Sequence, residues 1–136
     1  LRGDYSDWFP IGSTFFAEHI DEQYPINKPT QAIVLDMVCD KDLDLYPEVS
    51  SVLSAPKLVE NFWNIGEQVD PNVFHVRTGP SIRDDHTPLN AIGIPSFLVI
   101  DFEYPAFHTQ DDTLEMCSSD SLEVVATTVL RYLYSL

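Results

Sequence analysis

Two apolar runs dominate the chain. Residues 32–38 read A-I-V-L-D-M-V and residues 95–102 read P-S-F-L-V-I-D-F. The first, rich in β-branched residues, predicts a strand buried on both faces, and the second another fully apolar strand, the habit of a parallel sheet covered by helices. Elsewhere the apolar spacing turns helical. Phe16, Ala17 and Ile20 give a face to a first helix that Ser13 can cap, and Pro25 and Pro29 break the chain after it. Leu58, Val59, Phe62 and Ile65 give a face to a second, which Ser54 opens with Pro56 tolerated in its first turn. Residues 73–76 are a candidate further strand, and a short helix over 88–92 ends at Gly93. In the last helix Leu122, Val125, Ala126, Val129, Leu130 and Leu133 recur at helical intervals, behind a capping-box spacing of Asp120 and Glu123.

Helix and strand alternate, so the predicted class is α/β, with a mostly parallel sheet between helical layers. No repeat, low-complexity tract or linker divides the 136 residues, and one domain accounts for them. In such sheets functional residues gather beyond the carboxyl ends of the strands.

Charge narrows the partners. Twenty-two acidic residues against seven basic ones leave a net charge of −15, which repels nucleic acid and anionic membranes. No apolar run approaches the ~20 residues of a membrane span. Lys28, Lys41 and Lys57 are the only lysines. That scarcity leans toward salt adaptation, and the acidic surface suits a salt-rich environment, a secreted or extracytoplasmic enzyme or a protein that handles cations, although simple solubility explains the charge equally well. Cys39 and Cys117 are too few for a disulfide scaffold and lack metal-ligand spacing, so two separate buried thiols are expected. The tripeptide Arg2-Gly3-Asp4 is read as chance.

Three places carry chemistry. Asp36 interrupts the first apolar strand, where a carboxylate needs a partner or a metal; a hydrogen bond to loop backbone is the bland alternative. Arg83-Asp84-Asp85-His86-Thr87-Pro88 sets two carboxylates beside an imidazole. One carboxylate there can hold a proton while the other is ionised, or the segment is merely an acidic turn capping a helix. Phe107-His108-Thr109-Gln110-Asp111-Asp112-Thr113 comes after the second strand, and a histidine beyond a strand end can reach a metal, with Asp111 or Asp112 fixing its loop. His19 and His75 read as structural. No G-x-S-x-G nucleophile elbow is present.

Four strings then stand in one order: L-D-M-V at 35–38, D-D-H-T-P-L at 84–89, G-I-P at 93–95 and H-T-Q-D-D-T at 108–113, with a terminal helix after them. Together they resemble the C-terminal half of the zinc aminopeptidase and glutaminyl cyclase superfamily, the M28-like peptidases, over about residues 12–136. The resemblance implies a partial zinc-exopeptidase-like fold, with residues 1–136 forming one C-terminal portion of a catalytic domain. It implies that His108 is a zinc ligand. Asp36 matches a second-zinc ligand in two-metal aminopeptidases and part of a catalytic hydrogen-bond network in single-zinc cyclases. Asp84 matches the cyclase aspartate of that network, and Phe107 stands where cyclases commonly carry a substrate-facing tryptophan. Asp85 and His86 are grouped with Phe107 at the substrate.

The resemblance also implies one or two zinc ions and peptide or protein N-termini as substrates. The family's Glu-Glu or Glu-Asp pair, which supplies the general base and a ligand, does not occur before Asp36. Arg2-Gly3-Asp4-Tyr5 resembles the family segment just C-terminal to that pair, so the chain is expected to be a piece of a longer enzyme. Alone it would be weak or inactive, with an exposed sheet edge available for self-association. A non-catalytic binding or oligomerising domain that keeps the fold is the alternative.

Overall fold

The computed structural model describes residues 9–136, so the Arg2-Gly3-Asp4 tripeptide and the segment up to Tyr5 lie outside the described residues. The element order is α1 (Ile11–Glu18), α2 (Ile20–Gln23), β1 (Ala32–Asp36), α3 (Val49–Ser54), α4 (Pro56–Val69), α5 (His86–Ala91), β2 (Ser96–Ile100), a 3-10 turn (Leu114–Met116) and α6 (Ser119–Leu133). The class is α/β, as the sequence predicts. The strands β1 and β2 pair in parallel, Ile33 opposite Phe97 and Leu35 opposite Val99.

That register separates the two faces of the sheet. Phe97, Val99 and the half-buried Ile33 face the main core with Val59, Phe62 and Trp63 of α4, Val125 and Tyr132 of α6, and Phe74. The Phe62 ring touches four aromatic neighbours, Trp63, Phe74, Phe97 and Tyr132, at centroid separations of 5.2–6.1 Å. Burial of each such ring contributes roughly 1.5–3 kcal/mol. Leu98 and Ile100 alternate to the opposite face, the side where α5 packs on both strands and α1 packs on α5. The result is the three-layer α/β/α arrangement.

Several local expectations are corrected. β2 is buried along its whole length, but β1 is only half-buried and Leu35 is 45% exposed. The reason is that β1 has no strand on its other side among the described residues. The outer edge of β2 is treated differently, since the Leu98 N–H donates to the Ser51 hydroxyl of α3 at 3.0 Å. Residues 73–76 form no strand; Phe74 makes an isolated bridge to Leu45. Ser54 ends α3 rather than opening α4, whose first turn begins at Pro56. Ser13 lies inside α1 and donates to the Pro10 carbonyl. Ser118, not Asp120, caps α6, accepting the N–H groups of Asp120 and Ser121.

The cysteine expectation is also overturned. Cys39 and Cys117 form a disulfide with 4.8 Å between their α-carbons. The adjoining backbone holds them together: the Ser118 N–H donates to the Cys39 carbonyl, and Asp40 bridges Cys117 in antiparallel fashion. Two cysteines distant in sequence give no pairing signal until that contact exists.

Candidate functional site

Asp36 is the last residue of β1, so its carboxyl sits at the carboxyl end of the parallel sheet. The next residue, Met37, has a φ of 49°. His108, in the loop beyond β2, has a φ of 57°, and these are the two non-glycine residues with positive φ among the described ones. Such backbone costs on the order of 1–2 kcal/mol per residue and persists where surrounding structure enforces it. Both instances fall at or beside the positions singled out for metal binding.

The loop that presents His108 is tied down from several sides. Phe107 stacks on the imidazole at 3.9 Å between centroids and packs near Phe102 at 6.3 Å. The Thr109 hydroxyl donates to the Ala106 carbonyl at 2.7 Å, and the Asp111 N–H donates back to that hydroxyl at 3.2 Å. The Tyr104 hydroxyl donates to Asp112 at 2.8 Å. Burial and the Asp112 carboxylate push the Tyr104 phenol up to about 12, so the donor stays protonated. Asp112 thus fixes the loop, the role the sequence suggests for one of the two aspartates. Its partner Tyr104 carries no sequence signal, because the pairing spans a turn of unpredicted shape.

Asp84 and Asp85 enter from the segment that opens α5. The Asp85 N–H donates to the Asp84 carboxylate at 2.5 Å, and the Thr87 N–H donates to the Asp84 carbonyl at 2.8 Å. The three aspartates and His108 share one electrostatic field. Burial raises the Asp36 carboxyl above the usual carboxylate range, and the charges of Asp84 and Asp85 raise it further, against the Met37 N–H and His108, which lower it. Asp84 is likewise raised, chiefly by burial and also by the charges of Asp85 and Glu48; the Asp85 N–H and His86 oppose this. Two half-buried carboxyls that both resist ionisation suit a site where a proton is held and passed on.

His86 occupies a different place from the one expected for a substrate contact. It is fully buried, and its Nε2 lies 3.4 Å from Oε2 of Glu48, itself 1% exposed. It stands behind the Asp84–Asp85 segment, whereas Asp85 is exposed and Phe107 half-buried. His19 and His75 behave structurally: His19 bonds the Phe15 carbonyl at the end of α1, and His75 pairs with Asp44 and stacks on Tyr46.

Asp36 and His108 offer the carboxylate oxygen and imidazole nitrogen that zinc accepts. Among the described residues no group of three or more ligating side chains converges on one point. By donor type Asp36 and His108 would supply at most two of the about three protein ligands a catalytic zinc uses.

The sequence profile of Peptidase family M28 matches residues 8–133. The chain belongs to this family. Among solved structures, this M28 chain is similar to Porphyromonas gingivalis glutaminyl cyclase, with 28% identity and a TM-score of 0.87 over 99% of the chain and 51% of that protein. It is similar to Fimbriiglobus ruber glutaminyl cyclase at 29% identity and a TM-score of 0.85, over 92% of the chain and 43% of that protein. A Zn-dependent exopeptidase from Parabacteroides distasonis gives 27% identity and a TM-score of 0.81, over 96% and 48%. The chain spans about half the length of the solved structures it matches. No curated protein sequence gives a significant match.

Proposed function

We propose that this M28 chain forms part of a zinc-dependent enzyme acting at peptide or protein N-termini, with cyclisation of N-terminal glutamine as the leading reaction. The observation that carries the reading is the assembly of Asp36, Asp84, Asp85 and His108 at the carboxyl end of the sheet, in one electrostatic field. The family and the similarity to glutaminyl cyclases support it. His108 would contribute to holding the zinc ion, with Asp36 a ligand of a second ion only in the two-metal peptidase reading, and bound zinc would polarise the substrate carbonyl.

In the cyclisation, the substrate's α-amine attacks its own side-chain amide carbon. A C–N bond forms, the bond to the amide nitrogen breaks, and ammonia leaves carrying a proton taken from the amine. Asp36 and Asp84, both raised toward protonation, pass that proton. Phe107, held against His108, supplies an apolar wall, and Asp85 faces the substrate's polar end.

Hydrolysis of the first peptide bond is the second reading, favoured by Phe107 in the place where cyclases commonly carry tryptophan and by the similarity to a Zn-dependent exopeptidase. A zinc site with two ligands and no general base is incomplete, so the chain by itself would be weak or inactive. A non-catalytic binding or oligomerising domain is the reading from another class.

The test is an assay of the full-length protein, loaded with zinc, on a peptide with N-terminal glutamine and on aminoacyl-anilides. Cyclisation without anilide cleavage supports the leading reading. Anilide cleavage alone transfers the proposal to the peptidase, and inactivity on both leaves the non-catalytic domain. Calorimetric titration of this chain alone with zinc is expected to show weak binding; tight binding would contradict the incomplete ligand set.

A further inference from the structure

Glu48 is a buried, ionised carboxylate that the reaction scheme leaves unused. Burial on its own would raise its pKa, but the His86 imidazole close by and hydrogen bonds from Ile82, Ser50 and Ser51 outweigh that and bring it down to about 2. Its contacts divide into two groups. Toward α3 it serves as the helix cap: Oε1 accepts the Ser50 N–H at 2.7 Å, and Oε2 accepts the N–H and hydroxyl of Ser51 at 2.6 and 2.8 Å. Away from the helix, Oε1 accepts the Ile82 N–H at 2.8 Å, and His86 Nε2 lies 3.4 Å from Oε2.

Capping alone does not explain this residue. A serine or asparagine would cap a helix without burying a charge, and burying one costs several kcal/mol unless hydrogen bonds replace its water. The contacts beyond the cap go to residues 82 and 86, which bracket Asp84 and Asp85. The other end of the network is fixed, because the Ser51 hydroxyl accepts the Leu98 N–H of β2. A single carboxylate therefore fastens the segment carrying Asp84 to the start of α3, a helix packed against the central strand.

We propose that Glu48 is a positioning residue, holding Asp84 in register with Asp36 through its hydrogen bond to the Ile82 N–H and its close contact with His86. The inference rests on the proton-carrying role given to Asp84 above. Glutamine at position 48 would keep the side chain's shape but place an amide donor opposite one set of donors, so the grip could not be fully remade.

The test compares E48Q with S51A in the full-length, zinc-loaded protein, reading kcat and KM beside amide hydrogen exchange. In E48Q, kcat is expected to fall about tenfold to a hundredfold with KM little changed, and the Ile82 amide to lose protection. S51A removes the hydroxyl shared by Glu48 and Leu98 but keeps the backbone N–H bonds of Ser50, Ser51 and Ile82 to Glu48. It is expected to deprotect the Leu98 amide, lower the melting temperature and leave kcat and Ile82 protection near wild type. Wild-type kcat and Ile82 protection in E48Q overturn the inference, as does an equal loss of kcat in S51A, which would mean general loosening. Inactivity of the wild type on both substrate types defeats the functional reading first, whereas an active wild type beside an equally active E48Q defeats this inference alone.

Discussion

Cys39 and Cys117 join, across 78 residues, the segment just after Asp36 to the segment between His108 and α6. The cross-link closes a long loop, and chain-entropy arguments assign such a closure ~4 kcal/mol, before any strain in the folded state. C39S or C117S is therefore expected to lower the stability of this chain by roughly 2–4 kcal/mol. Urea titration with and without reductant checks this. Reductant should bring the wild type to the level of the variants and leave the variants unmoved.

Gly66 sits on the buried side of α4 directly under the Phe74 ring, and a Cβ at this position would collide with that ring. Helix propensity favours alanine over glycine by about 1 kcal/mol. Overpacking a filled core costs typically about 1–3 kcal/mol. The collision involves an aromatic ring that is itself wedged against Phe62 and Trp63, so the steric term should win. G66A is expected to melt at a lower temperature than the wild type; a higher melting point would show that Phe74 moves aside without cost.

Asp101 comes directly after β2 and is 1% exposed. Burial, helped by the nearby charges of Asp40 and Asp44, raises its carboxyl to about 6, although the Asp44 and Glu103 N–H groups donate to it. Its ordinary value is 3.8. Between these two values the folded state binds the proton and the unfolded state does not, so stability falls as pH rises from about 4 to about 6. The loss from this one group is on the order of 3 kcal/mol. Glu48 acts in the opposite sense and elsewhere on the scale. Its stabilising contribution is present above 4.5 and is lost as pH falls toward about 2. Denaturant titrations at about pH 4 and about pH 6.5 should show the Asp101 decline in the wild type and a flatter profile in D101N. An unchanged slope in D101N would assign the decline to other carboxyls.

The layers were legible because they arise from local pattern. The continuous apolar run of β2 and the helical spacing of α4 and α6 read directly as the elements they form. Asp36, Asp84 and His108 stand out in the sequence because polar side chains beside strand ends are few. The features that the sequence concealed depend on long-range contact. Nothing near Cys39 points to Cys117, and nothing near Tyr104 predicts that it anchors Asp112. Glu48 stood two residues before a Ser-Ser pair, the spacing of a cap, yet its grip on Ile82 and His86 required α3 and the Asp84 segment to meet. His86 was misplaced for the same reason: adjacency to two aspartates suggested a substrate contact, whereas the helix turn that starts at His86 points its ring inward. In α6 the helix forms as read, but of the predicted stripe only Val125 and the half-buried Val129 pack inward; Ser121, Thr128 and Tyr132 are buried instead, while Leu122, Ala126, Leu130 and Leu133 are exposed.

Those exposed leucines and the edge of β1, which no strand covers among the described residues, lead to a prediction about association. Leu35 is exposed on β1, and beside it Ile33, Val129, Tyr132 and Leu133 line an open cleft. An unpaired strand edge flanked by apolar side chains is a template for further pairing, and a lysine placed on such an edge opposes it. This chain in isolation is expected to associate in a concentration-dependent way, and L35K to shift it toward monomer. L53K supplies the control, because Leu53 is more exposed, at 78%, but lies on α3, which packs against β2, away from the β1 edge. Sedimentation velocity over a range of concentrations would separate the cases. Equal weakening by both substitutions would attribute association to general surface hydrophobicity, and a wild type that stays monomeric throughout would show that the helices flanking β1 protect the edge.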